Sequence, residues 1–126
     1  IARVIYNRLY VQMPLQIDAT VYYGQDRTIP FPDLRQIDTP YNTYLHLGLP
    51  PTPISNPGRA SIRAALNPAA NPPPGDPVCQ ALPDPTQNCI YLFYVLANAE
   101  GGHAFAVTPE QHQANVDAAA AAGLVD

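Results

Sequence analysis

Tyr41-Asn42-Thr43-Tyr44-Leu45-His46-Leu47-Gly48-Leu49-Pro50-Pro51-Thr52-Pro53-Ile54-Ser55-Asn56-Pro57-Gly58-Arg59-Ala60-Ser61-Ile62-Arg63-Ala64-Ala65-Leu66 is the stretch around which the chain is organised. An aromatic and polar cluster leads through a rigid proline bend into a capped helix. Proline fixes φ and glycine tolerates positive φ, so Gly48 to Pro51 and Asn56 to Gly58 have restricted backbones. A backbone held stiff beside tyrosines, asparagines and threonines is expected to present those side chains to a partner.

Working outward, 126 residues suit one compact domain, and a hydrophobic fraction of 47% excludes wholesale disorder. Of sixteen prolines, eleven lie between Pro50 and Pro85 and make the middle of the chain loop-rich. The net charge is −4, with six arginines and no lysine. That balance excludes a phosphate-backbone partner, which needs a basic patch or stripe, so no nucleic acid is expected. No run approaches the ~18 apolar residues of a membrane span, and no signal-peptide pattern opens the chain. Ile1 already lies inside a helical pattern, so the chain is expected to be an N-terminally truncated fragment.

Cys79 and Cys89 lie in one proline-rich loop, the insertion spanning 67–89. They are expected to form a disulfide, which would imply an oxidising, extracytoplasmic setting. The alternative is a metal or redox pair, but the loop has neither a C-x-x-C motif nor a histidine.

In chain order, Ile1, Val4, Ile5 and Leu9 form the apolar stripe of an opening helix, with Asn7 and Arg8 off that stripe. Asn7 beside Arg8 is a candidate buttress for a neighbouring loop. Asp18 reads as the N-cap of a short helix from Ala19 to Tyr23, stopped by Gly24. Residues 25–38 read as a polar loop with one helical turn. Thr39-Pro40, Asn56-Pro57 and Thr108-Pro109 each place a capping side chain before a proline suited to the first helical position. They predict helices over 41–47, up to Leu66, and from Thr108 to Ala122, the last with Gln111 in capping-box spacing and Gly123 as its stop. Arg59 and Arg63 share a helical face, a carboxylate clamp or simply a solvated surface. Ile90 to Leu96 predicts a buried strand, joined through Asn98 to Gly102 to a partner strand from His103 to Val107.

No acid/base pair emerges from spacing. Of the two glutamates, Glu100 falls in a hairpin turn and Glu110 in a first helical turn, and neither position suggests the raised pKa of a general acid. His46, His103 and His112 have no metal-ligand spacing, and no nucleophile elbow or phosphate-cradling loop is present. No metal or cofactor is expected. What remains is a neutral hydrogen-bonding and aromatic set: Gln16, Tyr22, Tyr23, Tyr41, Asn42, Tyr44 and Asn56. Such groups read sugars and peptides, and tyrosine clusters equally often fill cores.

Asn7-Arg8-Leu9, Leu15-Gln16 with Asp18, Thr20-Val21 and Tyr23-Gly24, Tyr41 to Tyr44, Gly48 to Pro51, Asn56 to Gly58, and Gly101-Gly102-His103 with Phe105 together resemble the YceG-like endolytic murein transglycosylases. The order is kept through most of the chain. Ile17, Ala19 and Thr52 depart from the family pattern, as does the cysteine-bearing insertion. The resemblance implies an α+β fold of the lysozyme-like transglycosylase type, with several short helices and a small antiparallel β-hairpin. It implies non-hydrolytic cleavage of glycan strands between N-acetylmuramic acid and N-acetylglucosamine. A glutamic acid protonates the leaving oxygen, and the muramyl 6-hydroxyl closes a 1,6-anhydro ring, with an oxocarbenium-like transition state.

Carried over residue by residue, the resemblance implies that Gln16, Asp18, Tyr23, Tyr41, Asn42 and Asn56 line the glycan cleft or hold its wall, with His103 nearer the rim. The family's catalytic glutamate is expected upstream of Ile1, along with any membrane anchor, which would leave this fragment inactive alone. Peptidoglycan strands are the expected partner, at the outer face of the cytoplasmic membrane. The alternative is a non-catalytic peptidoglycan-binding module, or one docking to cell-wall synthases.

Overall fold

A computed structural model describes all 126 residues. The elements in order are helices α1 (Ala2–Val11), α2 (Asp18–Tyr22), α3 (Phe31–Leu34) and α4 (Arg59–Leu66), a 3-10 turn (Pro77–Ala81), strands β1 (Phe93–Leu96) and β2 (His103–Ala106), and helix α5 (Pro109–Ala121). Short helices with one small antiparallel sheet make this an α+β protein, as expected. The chain forms two compact units: a continuous one, Arg8–Arg63, and a discontinuous one built from Ile1–Asn7 and Ala64–Asp126.

The discontinuous unit is laid out around the hairpin. Phe93 pairs with Ala106, Tyr94 with Phe105, Val95 with Ala104 and Leu96 with His103. Asn98 organises the turn, its Oδ1 accepting from the Glu100 N–H at 3.1 Å and the Gly102 N–H at 2.9 Å. A Cβ on Gly102 would lie 2.5 Å from the Asn98 amide, so a larger residue there would displace the side chain that organises the turn. The expected buried strand is instead half-buried along its length. The sheet has only two strands, and α5 packs against both of them. Phe93 stacks on His112 of that helix at 5.0 Å between ring centroids.

The capping box expected at Thr108 is present in full: Thr108 accepts from the Gln111 N–H, and the Gln111 side chain accepts from the Thr108 N–H. Gln111 Nε2 also donates to the Val78 carbonyl at 2.6 Å, which fastens the insertion to the helix start. Cys79, fully buried, is joined to Cys89 in a disulfide, with Cα atoms 5.6 Å apart. At the other end of the unit Asn7 is the buttress expected of it. Its amide donates to Asn71 Oδ1 at 2.7 Å and to the Tyr91 carbonyl at 2.8 Å. Nearby, Tyr6 donates to the Ala65 carbonyl.

In the continuous unit, Val21, Leu15 and Leu34 form the apolar centre. Arg8 is also buried and donates to the Pro14 and Leu15 carbonyls at 3.1 and 3.0 Å. Three helix boundaries differ from expectation. Asp18 is the first residue of α2 rather than its cap; Ile17 occupies the cap position with no side-chain hydrogen bond. The helix expected over 41–47 is a series of turns; there the Asn42 carboxamide accepts from the Tyr44 N–H and donates outside the segment, to the Arg35 and Ile37 carbonyls. The helix after Asn56-Pro57 starts only at Arg59, with its first turn closed by the Ile62 N–H on the Gly58 carbonyl at 3.1 Å. Every residue of α4 is exposed, Arg59 and Arg63 included, so the solvated-face reading of that pair holds.

Candidate functional site

Six of the seven candidate site residues lie in the continuous unit, and His103 lies in the other. The six have different surroundings. Tyr23, 41% exposed, follows α2, and its ring sits 4.7 Å from that of Tyr41 at 43°. Gly24, at φ +72°, turns the chain away immediately afterwards. The Tyr41 hydroxyl is paired with Thr52 Oγ1 at 2.7 Å, so Thr52, a departure from the family pattern, has a role in holding the ring. Asp18 is exposed, and its Oδ1 accepts from the Tyr44 hydroxyl at 2.5 Å. Burial first, and then the Asp18 carboxylate, pushes the Tyr44 phenol well above the usual tyrosine range. Arg35 lies over the Tyr44 ring, 5.5 Å from its centroid.

Asn42 behaves differently. It is 1% exposed, and its Nδ2 donates to the Arg35 and Ile37 carbonyls at 2.8 and 3.0 Å while its Oδ1 accepts from the Tyr44 N–H at 2.9 Å. Both donors and its carbonyl are committed to the backbone, which leaves nothing for a sugar. Its surroundings are those of a structural pin inside the unit. Asn56 is exposed on the chain before α4 and caps no helix. His103 is half-buried at the start of β2, its ring 5.8 Å from Tyr94 and 6.5 Å from Phe105.

Gln16 stands at φ 51°, a left-handed conformation, with its N–H on the Thr43 carbonyl at 3.2 Å. Beside it, a ring of hydrogen bonds starts and ends on Ile17. The Ile17 N–H donates to Thr43 Oγ1 at 2.9 Å, the two threonine hydroxyls meet at 2.7 Å, and Thr20 Oγ1 donates to the Ile17 carbonyl at 2.6 Å. The Thr20 hydrogen is used on that carbonyl, so Thr43 donates to Thr20. Both threonines are 2% exposed. Sequence reasoning missed this pair. The residues are separated by 23 positions, and no spacing rule connects them.

A cavity of about 250 Å³ in the same unit is lined by Arg8, Leu9, Gln12, Met13, Leu47 and Gly48, and none of the six candidates borders it. No group of His, Cys, Asp or Glu side chains is arranged to hold a metal. No helix is long and apolar enough to cross a membrane.

A family profile described as the YceG-like family matches residues 1–118. An endolytic murein transglycosylase of Bacillus subtilis is 41% identical over 116 residues, covering 89% of this chain and 26% of the relative. One from Streptococcus pneumoniae is 36% identical over 74 residues, 53% of this chain and 13% of that protein. The crystal structure of a yceG-like protein from Listeria monocytogenes superposes with a TM-score of 0.67 at 36% identity, over 90% of this chain and 32% of that one. The chain thus spans roughly a quarter or less of the length of these curated relatives.

Proposed function

The chain belongs to the YceG-like family, and from that premise we propose that it is the substrate-holding part of an endolytic murein transglycosylase. The observation that carries the proposal is the extent of the relationship: 89% of the chain aligns with a murein transglycosylase at 41% identity. The 126 residues are read as belonging to one catalytic domain despite their two compact units. The reaction breaks the bond between N-acetylmuramic acid C1 and the oxygen to N-acetylglucosamine. A proton goes to the departing oxygen, and the muramyl 6-hydroxyl oxygen bonds to C1 and gives up its own proton.

In this reading the chain's residues position the glycan. The tilted Tyr23 and Tyr41 rings offer an apolar face to a sugar ring. Asp18, steadied through Oδ1 by Tyr44, accepts from a sugar hydroxyl. Gln16 reads an acetamido or hydroxyl group, Asn42 holds the loop behind them, and Asn56 contributes at the margin. Glu100 and Glu110 are both exposed, which supports leaving the proton donor's role to another part of the enzyme. The disulfide supports a site of action outside the cytoplasmic membrane.

The same exposed glutamates favour a second reading, a peptidoglycan-binding module without turnover, with docking to cell-wall synthases as its further arm. A chimera separates the two. The chain replaces the matching quarter of the Bacillus subtilis relative, and release of 1,6-anhydro-muropeptides from purified peptidoglycan is followed by mass spectrometry. Turnover that survives Glu100→Gln and Glu110→Gln is expected. A folded chimera that is retained on peptidoglycan but releases nothing would favour the binding module, and one that is neither retained nor active would overturn both.

A further inference from the structure

We propose that Thr43 is a positioning residue: it locks Gln16 in a left-handed backbone conformation so that the Gln16 carboxamide points outward for a polar group of a glycan. The inference rests on the glycan reading above and adds to it the residue that sets the geometry of one contact.

Three non-glycine residues have positive φ: Gln12 at 59°, Gln16 at 51° and Asn88 at 58°. Two have local explanations. Gln12 follows the end of α1, where the Met13 N–H bonds to the Arg8 carbonyl and the Gln12 N–H to the Leu9 carbonyl, the standard left-handed closure of a helix. Asn88 is of a residue type that tolerates this region. Gln16 has neither explanation. It ends no helix, and a glutamine has no short side-chain bond to its own backbone to ease the strain.

The strain is held from both sides. Before Gln16, Leu15 is buried and its carbonyl is fixed by Arg8. At and after Gln16, Thr43 takes two successive N–H groups, one on its carbonyl and one on its hydroxyl, and hands its own proton to Thr20. Two buried threonines and a buried arginine thus fix an exposed residue whose carboxamide bonds to nothing in the protein. Strained backbone that its surroundings over-determine clusters where a side chain must be aimed. Tyr44 follows Thr43 directly and holds Asp18, two residues beyond Gln16, so the same segment also sets the next candidate contact.

The test uses the 126-residue chain and, as probe, a soluble tetrasaccharide of alternating N-acetylglucosamine and N-acetylmuramic acid, titrated by NMR alongside thermal melts. Gln16→Gly should melt about 3 °C higher, since glycine adopts this φ freely, yet bind roughly 5- to 10-fold more weakly. Thr43→Val should weaken binding by a similar factor, and Thr43→Ser, which keeps the hydroxyl, should restore it. Unchanged binding in Gln16→Gly, or a Thr43→Val variant that melts lower but binds as wild type, would overturn the proposal. If the wild-type chain does not bind the tetrasaccharide, the glycan assignment falls, and the melts still judge the lock. Thr43→Val should cost less in the Gln16→Gly background, where nothing needs holding, and an equal loss in both backgrounds would refute it.

Discussion

Asn42 has the side chain of a ligand contact and the surroundings of a structural pin. Truncation to alanine strands two carbonyls and one N–H that lose their partner together. We expect Asn42→Ala to cost about 2 to 3 kcal/mol in urea unfolding, and Asn42→Asp at least as much, because an aspartate cannot donate to either carbonyl. Tyr44 makes a different prediction. Its phenol stays protonated past the ordinary value near 10, so its contribution to stability is complete below that pH and is lost only as pH rises through the higher folded value. In an NMR titration of the tyrosine ring carbons, Tyr44 should remain neutral while exposed tyrosines ionise. Asp18→Asn should bring its midpoint down only part of the way, since burial, the larger cause, remains. A Tyr44 midpoint at the ordinary tyrosine value would contradict this. The residue types at the site were legible in the sequence; their roles were not. Nothing in the spacing of Asn42 distinguishes a buried amide from one held out to substrate, and left-handed backbone at a glutamine leaves no local signature.

At the scale of elements, several signals contained within a few residues were read correctly, though Asp18 begins α2 rather than capping it. The Thr108 to Gln111 capping box, the left-handed glycine closing α5 and the turn between β1 and β2 depend on neighbours at most four positions apart. The helix expected after Thr39-Pro40 did not form, and the one expected at Pro57 starts two residues later, at Arg59. In the first, the Asn42 amide reaches back five and seven residues for its partners, contacts that no local pattern announces. The insertion offers the test at this scale. The disulfide closes a ten-residue separation in the denatured chain, and Gln111 ties the neighbouring Val78 to α5. Cys79→Ser with Cys89→Ser should lower stability by about 3 kcal/mol on the chain-entropy account, read as a fall in the melting midpoint that added reductant reproduces in the wild type. Equal midpoints with and without reductant would show that the cross-link adds nothing to the fold.

For the whole molecule, ordered motifs spread over most of the chain carried the family, and the profile match over residues 1–118 bears that out. The division into a continuous and a discontinuous unit was not legible, because it depends on which distant segments touch. Asn7 makes that division concrete. Its carboxamide is bonded to Asn71 and Tyr91, 64 and 84 positions further on. A ribosome adds roughly 5 to 20 residues per second, so Asn7 waits on the order of 4 to 17 seconds for its second partner to be made. Residues 8–63 can settle during that interval. The first seven residues belong to the other unit, and until Tyr91 is made the Asn7 amide lacks its second partner on the nascent chain.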